Sequence, residues 1–116
     1  MRAIPLSVHS AVEMFAAPAI MVAPFLLGFG FAATVTSVLV GIALFGLALQ
    51  TDGPGRALPL SAHAGFDYSL AFSAFVGGIA IGLGTGEWYA AVFLVGVGVA
   101  QVALTAQTRF SAPRSA

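Results

Sequence analysis

Apolar residues fill most of the chain in four long stretches, at about 7–28, 32–50, 62–83 and 88–106. A helix needs about 20 mainly apolar residues to cross a hydrocarbon core about 30 Å thick, and each stretch is close to that length. Short glycine-rich segments join the first stretch to the second and the third to the fourth. The pattern therefore predicts two helical hairpins that together cross a membrane four times.

A polar segment with the sequence TDGPGRALP separates the two hairpins. Its glycines and proline predict a turn, and Pro59 suits the first turn of a new helix, as Pro5 does for the first one. We therefore divide the chain into a first two-helix repeat (1–52), a linker (53–57), a second two-helix repeat (58–107) and a flexible C-terminal tail (108–116).

The composition supports a membrane location and excludes several classes of function. Charged residues make up 7% of the 116 residues and apolar residues 59%, whereas a soluble domain carries about 25% charged residues. The net charge is zero and the four basic residues form no stripe, which argues against a nucleic-acid partner. Because the sequence has no cysteine, disulfides and thiolate metal sites are excluded.

The arginines predict the orientation of the chain. Arg2, Arg56, Arg109 and Arg114 fall at the two termini and in the linker, and the hairpin tips carry none. With four crossings the termini and the linker share one side of the membrane, and basic residues collect on the cytoplasmic side. Both termini are therefore expected in the cytoplasm.

One phrase occurs twice in the sequence. IPLSVHSAVEM begins at Ile4 and LPLSAHAGFDY at Leu58, with proline, leucine, serine and histidine at the same places and Glu13 matched by Asp67. Since each repeat contains two crossings, both repeats start from the same side, and a pseudo-two-fold axis along the membrane normal would relate them. We predict an all-α fold, a four-helix transmembrane bundle made of two parallel-oriented helical-hairpin repeats.

Small residues recur every four positions in the second repeat and predict close helix packing. Membrane helices associate through such residues, because lipid provides no hydrophobic drive for their association. We expect the stripe to form contacts within the bundle, with a dimerisation face as the alternative. The stripe comprises Ala74, Gly78, Gly82 and Gly86 on the third helix and Gly96 and Ala100 on the fourth.

The repeated phrase also holds the candidate chemistry. Residues four apart share a helix face, so His9 lies over Glu13 and His63 over Asp67. Ionisable side chains inside a membrane are costly and are expected to face the bundle interior and to have partners. Gln101 falls at a similar depth and is predicted to hydrogen-bond to Asp67. These five residues form the predicted polar cluster.

Three interpretations of this cluster are open. In the first, each histidine pairs with its own carboxylate, assisted by Ser7 and Ser61, and the cluster only stabilises packing. In the second, the two histidines and two carboxylates bind a metal ion such as Zn, Mn or Fe, or His9 and His63 ligate haem. In the third, Glu13 and Asp67 carry protons or ions. We favour the first, because no third histidine is available as a ligand and the middle of the membrane segments is almost wholly apolar.

The chain resembles the small bacterial integral-membrane proteins called SPW-repeat proteins. The likeness rests on two copies of a two-helix unit, on APFLLGF from Ala23 and on the glycine-centred segment VLVGIALFGLAL. Ala23, Pro24 and Phe25 stand at the Ser-Pro-Trp signature, and the second repeat has Gly77, Gly78 and Ile79 there. The resemblance implies a four-helix protein of a bacterial inner membrane and supplies no catalytic residues.

Together these features predict a non-enzymatic membrane protein. We expect a structural or accessory subunit that packs in the bilayer against itself or a larger membrane complex. It is expected to need no cofactor, and its partners are expected to be lipid and membrane protein.

Overall fold

The computed structural model describes residues 3–50 and 59–110, and this part of the chain forms a bundle of four helices. They are α1 (Leu6–Leu27), α2 (Phe31–Leu49), α3 (Leu60–Thr85) and α4 (Trp88–Ala106). Within the described residues these four helices are long and apolar enough to cross a membrane. The predicted all-α bundle of two hairpins is confirmed, and α3 extends about two residues beyond the predicted segment at each end.

The helix boundaries follow from proline and glycine. Pro5 and Pro59 precede α1 and α3 in extended backbone conformations, as the sequence predicts. Gly28 and Gly86 end the same two helices with φ of 70° and 76°. Such positive φ values are strained for residues with a Cβ, so glycine is needed where each hairpin turns.

Two short strands close the end of the bundle that carries the termini. β1 (Ile4–Pro5) pairs in parallel with β2 (Thr108–Arg109), and the Ile4 amide donates a hydrogen bond of 2.9 Å to the Gln107 carbonyl oxygen. The first three residues of the predicted flexible tail are thus held against the bundle. The linker 53–57, Arg2, Arg56, Arg114 and residues 111–116 lie outside the described residues.

The opposite end of the bundle joins the two hairpin tips. The Gly30 amide donates a hydrogen bond of 2.9 Å to Glu87 Oε2 at the start of α2. The Tyr89 hydroxyl donates a bond of 3.0 Å to the Gly28 carbonyl oxygen. A carboxylate at a helix N-terminus is favoured by the helix dipole, so Glu87 stabilises this junction.

Glycines allow close approach of the helices within each hairpin. A Cβ on Gly41 of α2 would lie 2.9 Å from the Ala17 carbonyl oxygen of α1. Between α3 and α4, a Cβ on Gly78 would lie 2.9 Å from the Ala91 oxygen, and one on Gly98 would lie 2.7 Å from the Ala71 oxygen. These distances are shorter than real Cβ contacts allow, so the backbones are packed as closely as glycine permits.

Half of the predicted packing stripe takes part in these contacts. Ala74 is buried, Gly78 meets α4, and Gly82 lies against the Trp88 ring. The prediction was wrong for the other three. Gly86 caps α3, and Gly96 and Ala100 lie on an exposed face of α4.

The packing contacts on α4 were predicted on the wrong face of the helix for a geometric reason. Gly98 makes the contact with α3, and it lies two residues from Gly96, about 200° around the helix. Spacing of small residues along one helix does not show which face meets the neighbour, because apolar residues cover the other faces too.

Candidate functional site

Both histidines and both carboxylates of the repeated phrase meet at one place in the bundle. His9 and Glu13 project from α1, and His63 and Asp67 project from α3. All four side chains are at most 1% exposed. Ala17 and Ala71, one helical turn further along, are also buried and begin the apolar core. The polar cluster therefore lies between the two hairpins, near the end that carries the termini.

The contacts run across the hairpins as well as within them. His9 Nε2 lies 3.2 Å from Glu13 Oε1 and 3.0 Å from Asp67 Oδ2. His63 Nε2 lies 3.1 Å from Asp67 Oδ2 and 3.7 Å from Glu13 Oε1. The expectation that each histidine pairs with its own carboxylate is therefore incomplete, because each imidazole faces both carboxylates.

The four inner atoms converge, with each histidine nitrogen within ion-pair distance of both carboxylate oxygens. One ligand atom from each of the four residues lies within 4.8 Å of every other. Among residues 3–50 and 59–110, His9 Nε2, His63 Nε2, Glu13 Oε1 and Asp67 Oδ2 are buried and have no hydrogen-bond partner. The four atoms are thus held within reach of one shared centre.

Gln101 of α4 binds the outer side of both carboxylates. Its Nε2 donates to Glu13 Oε2 at 2.8 Å and to Asp67 Oδ1 at 3.1 Å. Because both neighbours are carboxylate acceptors, only the amide nitrogen suits this position. The predicted bond to Asp67 is confirmed, and the bond to Glu13 makes Gln101 a link between the hairpins.

Thr108 determines which nitrogen of His9 carries hydrogen. The Thr108 hydroxyl donates to the Leu104 carbonyl oxygen at 2.6 Å, and its oxygen lies 2.8 Å from His9 Nδ1. Since that hydroxyl hydrogen is engaged, Thr108 Oγ1 accepts a hydrogen bond from Nδ1–H. In a neutral imidazole the lone pair is then on Nε2 and faces the carboxylates.

An aromatic ring covers the outer side of the cluster. The Phe110 ring centre lies 5.2 Å from that of His9 and 5.6 Å from that of His63. The pairing of β1 with β2 holds the segment that carries Thr108 and Phe110. The cluster is therefore enclosed by apolar core on one side and by this segment on the other.

Comparisons with protein-family models, with curated proteins and with solved structures find no match to this chain.

The sequence interpretation found five members of the site and missed two. Ser7 and Ser61, expected to assist, are exposed. Thr108 and Phe110 were assigned to a flexible tail, although Thr108 is fully buried. The one available signal was Phe110, an aromatic residue in an otherwise polar C-terminal segment.

The residues present fit a divalent metal ion. Tetrahedral zinc with bonds of about 2.0–2.1 Å separates its ligand atoms by roughly 3.4 Å. The N···O distances in the cluster, 3.0 to 3.7 Å, span that value, and all four ligand atoms lie within 4.8 Å of one another. Two carboxylates would balance the charge of a divalent ion bound to two neutral imidazoles.

The same geometry does not fit haem. A haem ligated by His9 and His63 would place its macrocycle between the two Nε2 atoms. Asp67 Oδ2 already lies 3.0 and 3.1 Å from those atoms, and Glu13 Oε1 lies beside it. The carboxylates thus occupy the space that the macrocycle would need.

A Thr108→Val variant tests the role of the hydroxyl. We expect its affinity for Zn²⁺ to fall about 10- to 100-fold, because valine keeps the shape but removes the acceptor that orients His9. Titration of the chelator-treated protein with Zn²⁺ measures this. Thr85→Val, at the far end of α3, is the control and should bind like the wild type. Equal affinities for wild type and Thr108→Val would show that this contact does not orient a ligand.

Proposed function

We propose that this multi-pass membrane protein binds one divalent transition-metal ion between its two hairpins. His9, His63, Glu13 and Asp67 would be the ligands. The observation that carries the proposal is the convergence of four buried ligand atoms with no hydrogen-bond partner among the described residues. Buried polar groups are nearly always hydrogen-bonded, so four buried atoms that pair only with one another around one point favour a ligand there.

The surroundings of the ligands support the same conclusion. Metal-binding histidines usually donate their second nitrogen to a nearby acceptor, and ligating carboxylates are themselves hydrogen-bonded. Thr108 and Gln101 supply these contacts for His9 and for both carboxylates.

The metal would act first as a clamp between the hairpins. α1 packs closely on α2, α3 on α4, and α2 on α3, whereas α1 approaches α4 at few places. Ligands from α1 and α3 would join the two hairpins near the terminal end of the bundle. Glu87 and Tyr89 already join them at the other end.

Metal analysis of the detergent-purified protein tests this proposal. Chelator-treated wild type is expected to take up about one Zn²⁺ per chain, as a single four-ligand site requires. The double variant His9→Ala/His63→Ala should take up less than about a tenth of that, since two ligands are lost. Glu87→Gln, which alters a carboxylate at the opposite end, should bind like the wild type.

Results that contradict metal binding can be distinguished from loss of folding. A wild type that binds no Zn²⁺ would contradict the proposal, as would a double variant that binds as well as the wild type. The folded state of each protein is checked by its helical circular dichroism, so loss of binding is not confused with unfolding.

We further propose that the chain is an internally duplicated, SPW-repeat-like protein of a bacterial inner membrane with both termini cytoplasmic. The repeated phrase and the arginine distribution support this proposal. The metal site would then lie toward the cytoplasm, where cytosolic metal has access. Cysteine labelling of Ser7→Cys and Thr85→Cys in intact cells, at opposite ends of the bundle, tests the orientation.

The accessory-subunit role remains a proposal alongside metal binding. Its support is that most of the chain lies within the four apolar helices, so contacts with other proteins would form mainly inside the bilayer. Ion transport has weaker support, because Ala17, Ile20, Val40, Leu44 and Ala74 form a buried apolar cluster deeper in the bundle.

A further inference from the structure

Gln101 contacts both carboxylates of the cluster from outside. Its side chain is 6% exposed and projects from α4, which supplies none of the four inner ligand atoms. The two hydrogens of its amide point to Glu13 Oε2 and Asp67 Oδ1, at 2.8 and 3.1 Å. These are the oxygens that do not face the histidines.

This arrangement leaves one oxygen of each carboxylate for the centre. Glu13 Oε1 and Asp67 Oδ2 are the atoms near both Nε2 atoms, and they lack hydrogen-bond partners among the described residues. A carboxylate whose second oxygen already accepts a hydrogen bond is disposed to bind a metal through a single oxygen. The protein then offers four ligand atoms in total.

The number of ligand atoms decides which ions fit. Zn²⁺ accepts four nitrogen and oxygen ligands in a tetrahedron. Ca²⁺ takes six to eight oxygens, often from bidentate carboxylates, and Mg²⁺ and Mn²⁺ favour six oxygen ligands.

We propose that Gln101 sets the metal selectivity of this site by holding both carboxylates in the monodentate form, so that the site selects a tetrahedral ion of the zinc type. This inference rests on the proposed metal binding and deepens it. Gln101 is a positioning residue here, because it acts through Glu13 and Asp67 and does not itself reach the centre.

Co²⁺ is a suitable spectroscopic probe because its visible absorption is strong in four-coordinate sites and weak in six-coordinate ones. We expect the wild type with Co²⁺ to show the strong four-coordinate spectrum. In Gln101→Leu the freed oxygens can also bind the metal, so the absorption should fall several-fold. The ratio of Zn²⁺ to Mn²⁺ affinity should fall about ten-fold or more.

Two further variants distinguish a change in metal selectivity from a general loss of structure. Thr105→Val changes a buried hydroxyl one turn along the same helix and should keep the wild-type spectrum. Gln101→Asn keeps the amide but is one methylene shorter, so it can no longer hold both oxygens and should shift the spectrum in the same direction as leucine. The asparagine variant keeps the test valid if the leucine variant does not fold.

Each outcome has a distinct meaning. A wild type that binds Co²⁺ with a weak, six-coordinate spectrum would overturn the role of Gln101 and leave the proposed function standing. Unchanged Co²⁺ spectra and metal selectivity in both Gln101 variants would also overturn the role of Gln101. A wild type that binds neither Co²⁺ nor Zn²⁺ would overturn the proposed function and this inference together.

Discussion

An Asp67→Asn variant is expected to lose Zn²⁺ binding by at least about 100-fold and to unfold more readily even without metal. Asp67 Oδ2 lies 3.0 Å from His9 Nε2 and 3.1 Å from His63 Nε2. No other carboxylate oxygen of the cluster lies as close to both imidazoles. Removing one partner of a buried charged cluster costs about 3–5 kcal/mol. Loss of a direct ligand should exceed the 10- to 100-fold effect of losing an outer contact.

Two measurements check this prediction. Zn²⁺ titration gives the affinity, and denaturation of the metal-free protein in mixed detergent micelles gives the free energy of unfolding. Ser69→Ala, an exposed hydroxyl on the same helix, is the matched control and should match the wild type in both. If Asp67→Asn keeps its Zn²⁺ affinity within ten-fold, Asp67 is not a ligand. An unchanged free energy of unfolding would mean that the metal-free cluster contributes no net stability.

The second large effect is expected at the contact between α3 and α4. Gly98→Ala should lower the free energy of unfolding by about 1–3 kcal/mol, the usual cost of overpacking. Its Cβ would lie 2.7 Å from the Ala71 carbonyl oxygen and 3.0 Å from the Phe75 amide nitrogen. Both neighbours are backbone atoms, so the two helices must separate, and Gln101 one turn away should lose its contacts with the carboxylates.

Gly96→Ala provides the matched comparison on the same helix. A Cβ at Gly96 would meet no atom of the described residues within 4 Å. Alanine is favoured over glycine in a helix by up to about 1 kcal/mol, so this variant should be neutral or slightly more stable. Denaturation in mixed micelles compares the two variants directly. Equal destabilisation by both would contradict the packing described for α4.

The repeated phrase shows which contacts of the site can be predicted from the sequence. The i, i+4 spacing was enough to place His9 with Glu13 and His63 with Asp67 on two helix faces. It did not reveal that the two pairs merge, because that depends on the rotation and tilt of α1 relative to α3. In the structure His9 is as close to Asp67 as to its own Glu13, which turns two ion pairs into one cluster of four side chains.

The contacts made by Gln101 and Thr108 show a different limit of prediction from sequence. Gln101 was predictable because a polar amide in an apolar helix needs a partner, and Asp67 lies at a similar depth. Thr108 was not predictable, since it follows the last apolar segment and looks like the start of a polar tail. Its position depends on the pairing of Ile4 with Thr108, a contact between residues 104 apart in sequence.

The sequence by itself determined the four helices, their turns and the membrane-spanning class of the protein. Span length and apolar content decide which helices can cross a bilayer. Proline and glycine mark where helices start and stop. Only the tertiary structure decided that Gly98 and not Gly96 meets α3. It also decided that both histidines and both carboxylates of the repeated phrase share one centre, with Gln101 and Thr108 around it. The physical reason is that membrane helices are apolar on nearly every face. Hydrophobic periodicity then carries little information about which face is buried, and close packing and polar contacts between helices determine it.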